Sequence, residues 1–124
     1  MANRRSALTW IAVLGGSAVL CASALTSGQE QAPSRRDFNV TARKYAFSPA
    51  NLEVRQGDIV RVTLEAQDIA HSFTIDEYRI AKRAAPGQAV TFEFRADQAG
   101  TFRIYCNLKQ DDGCRDMHGT LVVR

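Results

Sequence analysis

From residue 38 onward, apolar side chains recur at every second position in short runs, and each run ends at a turn signal. Phe38, Val40 and Ala42 alternate with polar neighbours. Tyr45-Ala46-Phe47 leads to Ser48-Pro49, and Leu52 and Val54 flank Glu53 ahead of Gln56-Gly57-Asp58. Val60, Val62 and Leu64 share one face of the next run, and a further run starts at His71 and ends at Ile75. After Ala85-Pro86-Gly87-Gln88, residues Val90, Phe92 and Phe94 alternate; Ala99-Gly100 interrupts, residues 101–105 resume, and residues 119–123 close the chain. A period of two is that of a strand with one buried face. The expectation is an all-β fold, a Greek-key sandwich of roughly seven or eight strands spaced about ten residues apart.

The first residues follow another rule. Arg4 and Arg5 precede an uncharged run, residues 6–29, with the apolar core "ALTWIAVLGGSAVLCASAL". A basic start, an apolar middle and small residues around Ala22-Ser23-Ala24 make a secretory signal. Residues 1–24 are therefore expected to be a signal peptide. The run is also about long enough to span a bilayer if it is left uncut, which would make it a membrane anchor. Lipoprotein processing at Cys21 is disfavoured by the bulky Leu20 before it. Residues 25–37 are polar and without period, a flexible linker. Residues 38–124 form the domain.

Composition narrows the function. About 100 residues remain after cleavage, enough for one small domain. The net charge of the 124-residue chain is +3, two units of which come from Arg4 and Arg5, leaving +1 beyond the signal. The remaining basic residues are spread out, so nucleic-acid binding has no support. No Ser-His-Asp set, phosphate-cradling glycine loop or carboxylate pair stands in a persuasive catalytic context. The chain is read as a non-enzyme, or at most as a component of one.

The candidate chemistry lies in "FRIYCNLKQDDGCRDMHGTLVV", residues 102–123. It holds Cys106, Cys114, Met117 and His118 in the connection between the last two strands, with His71 far upstream. Two cysteines in an exported protein fit a disulfide. They equally fit a metal site, because thiolate, thioether and imidazole together favour copper, above all Cu(I), over hard cations, while Met is a poor ligand for zinc. Met117 and His118 are neighbours, so in a strand they point to opposite faces. Met117 is expected inside, with His118 as the alternative ligand should the backbone there be irregular. Asp111, Asp112 and Asp116 read as solvated loop residues.

These residues carry a resemblance. "YAFSPANLEVRQGDIVRVTLEAQDIAHSFTIDEYRI", "APGQAVTFEFRADQAGTFRIYC" and "MHGTLVV" are similar to the cupredoxin family, and most nearly to the copper-binding (CuA-type) domain of cytochrome c oxidase subunit II. That domain's loop has the form C-x3-C-x3-H-x2-M. Aligned without a gap, its first cysteine is Cys106, its methionine Met117 and its upstream histidine His71. Its second cysteine falls on Gln110, its loop histidine on Cys114, and the residue donating a backbone carbonyl on Leu108. Gln110 has no bridging thiolate, so the resemblance does not extend to a dinuclear centre.

What the resemblance implies is an exported, periplasmic or otherwise extracytoplasmic protein that binds a single copper through His71, Cys106, Cys114 and Met117. Electron transfer or copper handling would follow, with a redox or copper-trafficking protein as partner. Two other readings stay open. One is a metal-free interaction module clipped by a Cys106–Cys114 disulfide; the other is a divergent subunit II-like component of a membrane respiratory oxidase.

Overall fold

A computed structural model describes residues 32–110 and 112–124. The expected signal segment 1–24, the first part of the expected linker and Asp111 lie outside the described residues.

Nine strands form: β1 (Arg35–Arg43), β2 (Ala46–Ser48), β3 (Asn51–Val54), β4 (Ile59–Ala66), β5 (His71–Ile75), β6 (Ile80–Ala84), β7 (Ala89–Arg95), β8 (Gly100–Tyr105) and β9 (His118–Val123). They make two sheets, one of order β2-β1-β4-β7 and one of order β3-β9-β8-β5-β6. Among the described residues the only helical pieces are two 3₁₀ turns, Asp76–Tyr78 and Asp112–Asp116. None of the described helices is long and apolar enough to cross a membrane.

The alternation read from the chain is the alternation of burial. β4 is the clearest case: Val60, Val62, Leu64 and Ala66 are buried, and the residues between them are not. β9 repeats it with Gly119, Leu121 and Val123. β5 departs from it, being buried on both faces along its whole length. It lies inside its sheet between β6 and β8, which explains why its sequence, His-Ser-Phe-Thr-Ile, alternates in polarity but not in exposure.

The two inner faces meet over an aromatic seam. The Phe73 ring of β5 packs edge-on against Phe47 of β2, with centroids 6.0 Å apart, and tilted against Phe92 of β7 at 5.4 Å. Both partners belong to the opposite sheet, so this trio ties the layers together. Full burial of one such side chain contributes on the order of 2–3 kcal/mol.

Two differences from the expected pattern have physical causes. β6 is a strand that the periodicity does not announce. Ile80 and Ala84 are buried at its ends while Ala81, Lys82 and Arg83 are exposed, so no apolar alternation shows. β1 starts at Arg35, inside the stretch expected to be linker. Arg35, Arg36 and Asp37 are exposed and pair in parallel with Ile59, Val60 and Arg61 of β4. Backbone pairing holds them in the sheet without any apolar side chain.

Candidate metal centre

Three neighbouring strands converge at one end of the second sheet. β5 pairs with β8 at Thr74–Tyr105, and β8 pairs with β9 at Tyr105–His118. Continuing both registers by one residue sets Cys106 between Phe73 and Met117. Another step sets Ser72 against Asn107, and two hydrogen bonds secure that step. The Asn107 N–H donates to Ser72 Oγ at 2.7 Å, and the Ser72 hydroxyl donates to Asn107 Oδ1 at 2.7 Å.

Face follows from register. Ile104, Leu121 and Phe73 point into the core, so by alternation Cys106, Met117 and His71 share that inward face. Burial agrees: His71 and Met117 are 0% exposed, and Cys106 is 3% exposed. His118 is exposed and its Nδ1 lies 3.0 Å from the Asp116 carbonyl oxygen. The irregular backbone that would have turned His118 inward is absent here, since β9 begins at that residue.

The imidazole of His71 is held from one side only. Nε2 donates to Asp68 Oδ1 at 2.7 Å. A carboxylate can only accept, so Nε2 carries a proton, and Nδ1 is the ring nitrogen left to meet a ligand. Nδ1 is buried and has no hydrogen-bond partner among the described residues. An unsatisfied buried polar atom is destabilising by about 1–3 kcal/mol, and a bound ion is one way to satisfy it.

Asp68 was not singled out from the sequence, although an aspartate three residues before a candidate ligand histidine is a readable signal. Besides the His71 ring, it accepts the Lys44 N–H at 2.8 Å and the Ile69 N–H at 2.7 Å. Partial desolvation pushes its carboxyl pKa upward, but the Lys44 amide, the His71 ring and the Ile69 amide together outweigh that. The group is held well below the usual carboxylate range.

Cys106 and Cys114 are joined in a disulfide, with Cα atoms 5.2 Å apart. Of the two readings left open by the residues, the structure adopts this one. A disulfide sulfur is not a thiolate and does not act as a copper ligand; a ligand role for either cysteine requires reduction. Cys114 sits in the 3₁₀ turn Asp112–Asp116 and is buried. Its Sγ accepts the Leu108 N–H at 3.2 Å, and its carbonyl accepts the Met117 N–H at 3.1 Å. Gln110 lines a small cavity with Ile69, Ala70, Leu108 and Cys114, and Ala70 directly precedes His71. Among the described residues, no three His, Cys, Asp or Glu side chains stand together as a metal cluster. The donors gathered at this end are one imidazole, one thioether and a bonded sulfur pair.

The described arrangement matches a known family. The model of the Cupredoxin-like domain family matches residues 13–123. The chain belongs to that family. The cupredoxin is also 28% identical over 92 residues to cytochrome c oxidase subunit 2 of Thermus thermophilus, covering 74% of this chain and 68% of that one. A second Thermus thermophilus subunit 2 is 28% identical over 92 residues, but the match spans only 55% of its length. Among solved structures, the periplasmic domain of subunit II of cytochrome oxidase from Bradyrhizobium japonicum superposes with a TM-score of 0.62. That likeness is at 15% identity and covers 77% of this cupredoxin and 86% of that domain.

Proposed function

We propose that this cupredoxin is an extracytoplasmic copper-binding protein that holds a single ion as Cu(I) in its reduced, dithiol form. Its donors would be His71 Nδ1, the Cys106 and Cys114 thiolates and the Met117 thioether. One observation carries the reading: a fully buried imidazole whose Nε2 is fixed by Asp68 and whose Nδ1 is unpartnered. By strand register it shares an inward face with Cys106 and Met117.

The donor set suits the ion. Imidazole, thioether and thiolate are soft or borderline ligands, and two thiolates favour the cuprous state. Bound there, copper would supply a one-electron couple biased toward its reduced form, which fits holding or handing on the metal better than fast electron transfer. The protein's own part is positional. Asp68 fixes the ring orientation and the tautomer, β8 and β9 hold the two ends of the sulfur-bearing loop, and burial of His71 and Met117 keeps water away. A dinuclear centre has no support, because Gln110 stands where a second bridging thiolate is required.

The relatives named above are subunits of a membrane oxidase and support an extracytoplasmic setting. A redox or copper-trafficking protein is the partner class that fits, and the N-terminal segment is proposed to export or anchor the domain. The disulfide favours a second reading, a metal-free module in which the clip is permanent.

Titration of the fully reduced protein with Cu(I), against a chromophoric cuprous chelator, decides between them. One equivalent bound tightly by wild type and lost in His71→Ala is the expected result. Equal binding by the two proteins, or none by either, defeats the copper reading.

A further inference from the structure

Every proposed donor is shut away from solvent. His71 and Met117 are 0% exposed, and Cys106 and Cys114 are each 3% exposed. His71 lies in β5 and pairs with Ala84 of β6, while Cys106 directly follows β8 and Met117 directly precedes β9. Of the four, Cys114 stands farthest along the chain from a strand, in the 3₁₀ turn Asp112–Asp116. An ion reaches the interior with least disturbance of the sheets where this turn moves.

What rests on that turn is Tyr45. Lys44 and Tyr45 form the two-residue connection of the β1–β2 hairpin, which closes at the Arg43–Ala46 pair. A Cβ at Gly113 would overlap the Tyr45 ring, so the ring lies directly against the glycine backbone. A residue without a side chain permits so close an approach. Among the described residues Tyr45 is the large apolar side chain left exposed, at 41%. Gly113 in turn precedes Cys114, whose Sγ accepts the Leu108 N–H and whose carbonyl accepts the Met117 N–H. A shift at Gly113 is thereby felt at Cys114 and Met117. The same hairpin turn reaches His71, since the Lys44 N–H donates to Asp68, which fixes the imidazole.

We propose that Tyr45 is a positioning residue for the copper site: its ring pins the Cys114 turn in place and so sets how fast the ion enters and leaves. The inference rests on the copper reading for its purpose, but the pinning itself needs no metal. While the Cys106–Cys114 bond is intact, the turn is also tied covalently to the end of β8. In the dithiol form that tie is gone, and the Tyr45 contact supplies more of the restraint. Loss of an outer-shell group that orients ligands weakens a metal site by about 10–100-fold.

The test uses the full chain, reduced. Wild type, Tyr45→Ala and Tyr45→Phe are each loaded with one equivalent of Cu(I) and mixed with excess chromophoric cuprous chelator. Release is followed by stopped-flow absorbance. It is expected to be faster by about tenfold in Tyr45→Ala and unchanged in Tyr45→Phe, which keeps the ring. Gly113→Ala, whose methyl group displaces the ring, should behave as Tyr45→Ala does. Separately, amide hydrogen exchange is read by NMR on the metal-free reduced proteins. The Leu108 and Met117 amides should exchange faster in Tyr45→Ala, while those of β4 stay as in wild type; a general loss of stability would quicken both. Equal exchange at Leu108 and Met117 in the two proteins, or acceleration spread evenly through the sheets, overturns the proposal, as does unchanged copper release. Should wild type bind no copper, the copper reading falls, and the exchange data alone decide for or against the pinning of the turn.

Discussion

Asp68 Oδ1 lies 2.7 Å from His71 Nε2, so the buried ring is oriented by a residue that is itself one-third exposed at its side chain. The carboxylate also accepts two backbone N–H groups, from Lys44 and Ile69, and so joins the end of β1 to the start of β5. Replacing it leaves the proposed donor atom intact but removes what aims it. Asp68→Ala is expected to weaken Cu(I) binding by the reduced protein about 10–100-fold, read by competition with a cuprous chelator. An unchanged affinity would show that the ring needs no anchor.

The same contact makes stability depend on acid. Asp68 is more acidic folded than unfolded. Its contribution is therefore complete above the unfolded carboxylate range near pH 4 and drains away as pH falls through that range toward the folded value. Urea midpoints should drop more steeply below about pH 5 for wild type than for Asp68→Asn, which has nothing to titrate there. The difference will be modest because the group is partly exposed.

Met117 is fully buried and opposite Cys106 by register, so packing and ligation have to be separated. Leucine conserves most of the volume. Met117→Leu is expected to lose less than about 1.5 kcal/mol of metal-free stability, by chemical denaturation, while measurably weakening Cu(I) binding. If binding is untouched, the thioether is only filling space.

The disulfide closes a loop with a sequence separation of 8. Loop-closure entropy of that size is worth about 2.5 kcal/mol. Reduction without metal should lower the denaturation midpoint by a corresponding amount, and one equivalent of Cu(I) should restore it by binding the folded state alone. A reduced protein that copper does not stabilise would speak for the permanent clip.

Gly119 has no room for a side chain. A Cβ there would overlap the Ala50 carbonyl oxygen, which accepts the Thr120 N–H at 2.8 Å. Gly119→Ala must push β9 from the Ala50 turn and is expected to be destabilising by about 2 kcal/mol. Differential scanning calorimetry reads this as a fall of several degrees in Tm.

Much of the architecture was legible because alternation reports a half-buried sheet. Val60, Val62 and Leu64 announced β4, and Val90 and Phe92 announced β7. Ile80–Ala84 was silent, because three of its residues face solvent. Arg35–Asp37 was silent for a different reason: parallel pairing to β4 is a long-range event that leaves no local mark. At the site, alternation placed Met117 inside and His118 outside. The pairing of Cys106 with Cys114 could not be read from composition, since the same two residues serve a disulfide when oxidised and a soft metal when reduced. Asp68 went unread because its role is to position another residue across a turn, with no donor chemistry of its own.

The segment between Tyr105 and His118 begins and ends at directly opposed positions of one strand pair. The sandwich thus dictates where that segment is stapled down, and between the staples it claims Cys106, Cys114 and Met117 for the interior. A cysteine can occupy the position that the oxidase resemblance assigns to a histidine, and a glutamine one assigned to a cysteine, while the layers beneath go undisturbed. Lineages built on this frame are therefore free to exchange tenants at its exposed positions, such as Gln110, with the foundations left alone.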